Sequence, residues 1–194
     1  MATISEALDV RARPEVLSPV QRYRRMGLVF GMALLLQVAH FAEHVAQIYQ
    51  KNVQHVKTPP HGLLGVWLDV EWAHFIYNVG LGLAIVMMFV GYRMWRKEWR
   101  QYNVVAWVAL VAAMVVQAGW HVSEHAVKMY QYYAHGWNPA PGILGHTPKF
   151  GTGPFQVVYL HFWYNLAVTA LLVVAYLGYR AYRAPKLAEE SWRS

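Results

Sequence analysis

The sequence predicts an all-α integral membrane protein in which a tandem two-helix repeat supplies four transmembrane helices. Hydrophobic residues make up 57% of the 194 positions and charged residues only 14%. The hydrophobic residues are gathered in four blocks, and two histidine-containing segments each occur twice. Such a composition is typical of membrane proteins. Because each repeat contains two helices, both copies should insert with the same orientation, related by a pseudo-two-fold axis along the membrane normal.

Each apolar block corresponds to one predicted helix. A block alone is at or below the roughly 20 apolar residues that span a bilayer, but it continues into an aromatic, histidine-rich stretch that can complete the crossing. The predicted helices cover residues 20–50, 66–97, 101–134 and 155–184.

The repeat also divides the chain into segments. We predict an N-terminal segment 1–19, a first repeat 20–98, a second repeat 99–184 and a C-terminal tail 185–194. The first segment is polar and has no apolar core, so we expect no cleavable signal peptide and an insertion signal in the first helix.

The distribution of basic residues predicts the orientation. Most of the 17 Lys and Arg residues precede the first helix, separate the second from the third, or follow the fourth. The exceptions are Lys51, Lys57, Lys128 and Lys149. By the positive-inside rule, both termini are cytoplasmic and the connections near 51–65 and 135–154 face outward. We therefore expect a protein of the cell (inner) membrane, with the lipid bilayer as its main partner and an oligomeric state that the sequence leaves open.

The composition also excludes several functions. The chain contains no cysteine, which excludes disulfides, thiolate metal ligands, cysteine-held iron–sulfur clusters and c-type haem attachment. The net charge of +7 is spread over three segments without a nucleic-acid motif, so we expect no nucleic-acid partner.

Two short motifs carry the candidate chemistry. HFAEH at residues 40–44 recurs as HVSEH at residues 121–125, and HFIYN at 74–78 recurs as HFWYN at 161–165. Residues three and four apart share a helix face, so the polar residues of each motif should point one way. Counting about 1.5 Å per residue from the flanking arginines places all six histidines in the outer third of the membrane. Ionisable residues at such a depth are costly and indicate a functional site.

The motifs predict a dinuclear metal site, because each repeat supplies three histidines and one glutamate. Glu43 and Glu124 are the candidate catalytic carboxylates, acting as bridging or terminal ligands or as bases. The predicted ligands are His40, Glu43, His44, His74, His121, Glu124, His125 and His161.

Three further polar residues belong to the predicted site. Asn78 and Asn165 lie four residues after a motif histidine, where they can hydrogen-bond to ligands or between helices. Glu71 shares the face of His74 and is a further possible ligand. Val158 occupies the corresponding position in the second repeat, so a Glu71 ligand would make the two metal positions inequivalent.

The motifs carry two resemblances. The spacing HxxEH resembles the motif of inverted zinc peptidases, in which the glutamate is a base, although nothing else of a peptidase is present. The spacing HxxxH resembles one histidine box of membrane fatty-acid desaturases and hydroxylases, which hold two irons. The HxxHH boxes of those enzymes are absent, and their metals lie on the cytoplasmic side. This resemblance implies membrane oxygen chemistry without placing the chain in the family.

The leading functional hypothesis is a dinuclear oxidoreductase, such as a monooxygenase or hydroxylase, acting at the outer face on an apolar or other small substrate. The cofactor would be two transition-metal ions, with iron or copper favoured and zinc or manganese also compatible. A redox partner would be needed for an oxygen-activating version. Alternatives are a b-type haem electron-transfer protein and an accessory metal-binding membrane subunit.

Overall fold

The computed structural model of this protein describes residues 18–56, 60–65, 67–68, 70–96, 103–145 and 156–191. Within this part the regular elements are all helical. The elements are α1 (Pro19–Asn52), α2 (Val70–Gly91), α3 (Val104–Met114), a π-helix (Val115–His121), α4 (Val122–His135) and α5 (Val157–Ser191). The α3 helix, the π-helix and α4 follow one another without a break, and we call them together the third span.

Four stretches of the described chain are long and apolar enough to cross a membrane. They are Val20–Asn52, Glu71–Gly91, Val104–His135 and Val157–Tyr182. This confirms the predicted all-α class and four helices that are long and apolar enough to cross a membrane. Large apolar side chains such as Leu28, Leu83 and Leu177 are exposed on the outside of the helices, where they suit contact with lipid.

The four spans pack in chain order around one axis. The α1 helix contacts α2 and α5, and the third span contacts the same two helices. The apolar core contains Met26, Phe30, Leu81, Ile85, Leu110 and Leu172. These residues lie toward the chain termini, whereas the repeated histidines lie toward the connections 53–69 and 136–156. We call the latter the loop end of the bundle.

Local chemistry explains several helix ends. Ser18 caps α1 through a capping box with Gln21, and Pro19 occupies the first turn, where its missing N–H costs nothing. Asn103 caps α3 by accepting a hydrogen bond from the Ala106 N–H. Gly136 ends α4 in the left-handed conformation with φ 66°, which glycine adopts without strain.

The helix bounds differ from the predicted ones in two places. The second helix runs from Val70 to Gly91 rather than over 66–97, because the chain turns after Gly91 and Arg93 takes a positive φ of 52°. The last helix continues beyond residue 184 to Ser191. Its final residues include leucine, alanine and glutamate, which favour helix.

Some predictions fall outside the described residues. These are the N-terminal segment up to residue 17 and the basic or connecting positions Lys57, Lys97, Arg100 and Lys149.

Candidate metal centre

Six buried histidines form a single cluster on the bundle axis near the loop end. At most 7% of each side chain is exposed. Ring centroids of neighbouring histidines are 4.8–6.2 Å apart. The cluster comprises His40, His44, His74, His121, His125 and His161. The structure thus brings together all six histidines of the two repeated motifs.

The cluster consists of two groups of three, each with ligand atoms within 4.8 Å of one another. His40 and His44 on α1 join His74 on α2 in the first group. The second group comprises His121, His125 and His161. Rings of the two groups also contact each other across the axis at 5.8–6.2 Å. Two bound ions would therefore be neighbours.

The first group already directs two nitrogens at one point. His40 Nε2 and His44 Nε2 are 2.9 Å apart. His44 Nδ1 donates to Gln47 Oε1 at 2.8 Å, so Nε2 of His44 is the acceptor and His40 supplies the proton between the rings. Two nitrogens on one tetrahedral ion, each about 2.0–2.1 Å from it, are about 3.3 Å apart. A metal ion could replace this proton after a small shift.

In the second group, hydrogen bonds fix which nitrogen is available. His121 Nδ1 donates to Gln117 Oε1 at 3.1 Å, and His161 Nδ1 donates to the Val157 carbonyl at 2.7 Å. Each bond leaves Nε2 with its lone pair, the arrangement that proteins use to orient metal-binding imidazoles. Within the described chain, Nε2 of His121 and His161 and both ring nitrogens of His125 are buried without a hydrogen-bond partner.

A layer of amides lies directly below the histidines. Gln117 Nε2 donates to Asn78 Oδ1 at 2.8 Å, and Gln37 Nε2 donates to Asn165 Oδ1 at 3.1 Å. Each asparagine in turn donates to the carbonyl of the histidine four residues before it. Asn78 and Asn165 thus lie where they link helices and brace the cluster. Such interhelical bonds each stabilise a membrane bundle by about 0.6 kcal/mol, up to about 1.7.

The π-helix keeps the third span facing the axis. Ala113, Gln117 and His121 are all buried, and they follow one another in four-residue steps. At 100° per residue, two such steps in an α-helix would rotate the buried face by about 80°. The wider turn of the π-helix over Val115–His121 offsets this rotation. On α1 the corresponding Gln37 and His40 are only three residues apart, and the helix stays α throughout.

Glu43 and Glu124 point to the connecting loops, and neither is among the ligand groups found in the described chain. Glu43 accepts from the N–H of Leu63 at 2.8 Å and from that of Leu64 at 3.2 Å. Glu124 accepts from the N–H of Ile143 at 3.0 Å. Each carboxylate therefore fastens one connection to a helix that carries two histidines of the cluster.

Two glycines make this close approach possible. Gly62 and Gly142 have φ values of 72° and 75°. A Cβ atom on Gly62 would lie 1.9 Å from Glu43 Oε1, and one on Gly142 would lie 2.1 Å from Glu124 Oε1. A side chain at either position would therefore displace the glutamate carboxylate from the loop.

Two tyrosines flank the cluster. The Tyr77 ring meets His40 edge-on at 4.8 Å, and the Tyr164 ring lies 5.6 Å from His121. Tyr77 also borders a small cavity together with Glu43 and His74. Each group of three histidines thus has one tyrosine beside it.

Glu71 forms a buried ion pair instead of joining a histidine group. Its Oε1 lies 3.0 Å from Lys128 Nζ, and the two side chains are 2% and 7% exposed. The Ala140 N–H also donates to Glu71 Oε1 at 3.1 Å. Glu71 and Lys128 line a cavity of about 330 Å³ above the cluster, together with His44, His74, His125 and His161.

Several of these residues were not identified from the sequence. Lys128 was counted only as a basic residue of the outer side, although a lone lysine three positions after His125 shares the ligand face. Gln37 and Gln117 precede the first histidine of the repeated motif by three and four residues, and both spacings place the glutamine on the helix face of the histidine, which was a usable signal. The tyrosines were visible inside the repeated HFxYN motif, but their spacing alone assigns them no role.

Comparison with known proteins gives no independent assignment for this site. No protein-family model matches the chain, and neither a curated protein nor a solved structure matches it.

Proposed function

We propose that this protein is a membrane-embedded dinuclear metalloprotein in which each ion is held by three imidazoles, and that it acts as an oxidoreductase on a small molecule. The observation that carries the proposal is the burial of six histidines whose nitrogens converge in two groups. Burying a polar nitrogen without a hydrogen bond costs about 1–3 kcal/mol. A metal ion at the second group would satisfy the nitrogens of His121, His125 and His161 that lack a hydrogen-bond partner in the described chain. An ion at the first group would replace the proton between His40 and His44.

The ligand chemistry favours copper. Both groups consist of imidazoles, which suit copper, zinc, iron and nickel, whereas manganese prefers carboxylate and carbonyl oxygen. The carboxylates of Glu43 and Glu124 accept hydrogen bonds from loop amides, which leaves an all-nitrogen set. Copper also binds such sites most tightly among the divalent first-row metals and supplies redox chemistry. Iron is the next choice, and in that case Glu43 or Glu124 would have to turn toward the ions.

Matched contacts support a tandem duplication with pseudo-two-fold symmetry. Gln37 of the first repeat donates to Asn165 of the second, and Gln117 of the second repeat donates to Asn78 of the first. The glutamate bonds to the loops and the two loop glycines form further matched pairs. Under the positive-inside rule, the loop end is the outer face of the cell membrane and both termini are cytoplasmic.

The position of the apolar core between the histidine cluster and the chain termini favours catalysis over transport. Toward the termini, the bundle below the amide layer is filled by apolar side chains such as Phe30, Leu81 and Leu172. Transporters need a polar route across the midplane. The cavity of about 330 Å³ adjoins the cluster on the other side, and its volume is within the range of small-molecule sites. Among the described residues, the larger cavity thus gives access to the ions from the loop end.

The packing of the rings favours separate ions over haem. A haem would need lateral room for its macrocycle between two axial histidines, but within the described chain every histidine of the cluster packs against several others, with neighbouring ring centroids 4.8–6.2 Å apart. Metal analysis and absorption spectra of the detergent-purified protein test the choice. We expect about two copper ions per chain and no Soret band. A Soret band, with haem iron as the only transition metal found, would refute the proposal.

A further inference from the structure

The cavity above the histidines carries an asymmetry that the dinuclear site does not explain. Lys128 lies one helical turn after His125, and the corresponding residue after His44 is Gln47. Its partner Glu71 precedes His74, and the corresponding residue before His161 is Val158. The two departures from the repeat thus meet in one ion pair, which lines one side of the cavity.

A buried ion pair is a poor source of stability, because desolvation of both charges offsets their attraction. Its position in the wall of a cavity next to a candidate metal centre indicates a role in binding. The Lys128 ammonium has three N–H donors. Among the described residues, Glu71 is the one hydrogen-bonding or ionic partner that the structure gives it. Its remaining donors are available to a molecule in the cavity.

The charge balance identifies the class of that molecule. Neutral imidazoles contribute no charge, and the charge of Glu71 is balanced by Lys128. Two divalent ions would bring more positive charge than Glu43 and Glu124 could neutralise. In a site shielded from water, this surplus attracts an anion strongly.

Building on the proposed dinuclear centre, we propose that the cavity binds a small anion that receives a hydrogen bond from Lys128 and reaches the metal ions held by the histidines. The anion enters from the loop end, where Pro60, His61, Asn138 and Pro139 line the cavity. This narrows the substrate or co-ligand from an apolar molecule arriving through the helix walls to a small anion arriving from the aqueous side.

Azide binding to the copper-loaded protein tests this inference. The key variant is the double substitution Lys128→Gln with Glu71→Gln, which removes both charges of the pair and leaves the summed charge of the cavity unchanged. Glutamine is also the residue at the corresponding position 47. We expect azide affinity, measured by titration of the copper absorption bands, to fall about tenfold or more, since a charge-assisted hydrogen bond is lost. Glu71→Gln alone frees the ammonium and should strengthen azide binding.

The matched control is Lys51→Gln. Lys51 lies at the same end of the bundle, over the Tyr159 ring, and does not line the cavity, so azide affinity should stay unchanged. Copper content is measured on every variant first. A protein without two ions contradicts the dinuclear centre itself. If the protein holds two ions but the wild type and the double variant bind azide equally well, the anion site alone is overturned. The same holds if the protein holds two ions and binds no azide.

Discussion

Substitution of Gly62 by alanine tests the contact between the Glu43 carboxylate and the loop. The new Cβ would lie 1.9 Å from Glu43 Oε1 and 2.5 Å from Cδ, so the carboxylate must leave the Leu63 and Leu64 amides. Gly136→Ala is the matched control. Its φ of 66° is similar, but a Cβ there would meet nothing within 4 Å.

The magnitude follows from two terms. Both variants incur the cost of a left-handed L-residue, about 1–2 kcal/mol. Gly62→Ala also breaks a hydrogen-bonded carboxylate contact, and hydrogen bonds to charged groups contribute about 1.5–3 kcal/mol. We therefore expect Gly62→Ala to be less stable than Gly136→Ala by about 2–3 kcal/mol. For a chain of this size that difference lowers Tm by about 4–12 °C.

Thermal unfolding of both variants in the same detergent measures this difference. Metal content should fall in Gly62→Ala as well. Glu43 and His44 are neighbours in the same helical turn, so a displaced Glu43 side chain also disturbs the position of His44. Equal Tm values for the two variants would show that the carboxylate does not bind the loop as described, and the assignment of Glu43 to the loop amides would be wrong.

Three further predictions concern ligands, support and topology. His125→Ala should lower bound metal from about two ions to one per chain, with helicity unchanged by circular dichroism. His135→Ala, which lies outside the cluster, should retain both ions. Retention of both ions in His125→Ala would contradict the ligand role of His125. Gln117→Leu should weaken metal binding about 10- to 100-fold in a chelator competition, since it removes the acceptor that orients the His121 ring, and unchanged affinity would show that the bond is dispensable. Single cysteines introduced at positions 57 and 149 should react with an impermeant thiol reagent added outside intact cells, and labelling only after lysis would reverse the proposed orientation.

The fold class could be predicted because membrane insertion imposes strong rules. Runs of apolar residues must be helical in a bilayer, so four blocks gave four spans. The end of α2 was harder to predict, because the turn at Arg93 follows a run whose composition still suits helix. The π-helix was also missed, since it depends on how the third span meets its neighbours rather than on local propensity.

The histidine cluster could be predicted because spacings of three and four fix a helix face, and a repeated motif fixes depth on all four helices. The direction of Glu43 and Glu124 could not. A glutamate beside a histidine can turn toward an ion or a loop, and the choice depends on where Gly62 and Gly142 place the loop amides. Likewise, the Lys128 to Glu71 contact joins residues far apart in sequence, and charge alone does not pair them.

The metal content and magnetic state of the purified protein test the dinuclear centre most directly. Elemental analysis combined with electron paramagnetic resonance should find about two copper ions per chain, with the signal of the oxidised protein weakened by coupling between neighbouring ions. A single ion per chain bound by histidines of both groups, or a protein that binds no transition metal while its six histidines stay buried, would contradict the dinuclear centre.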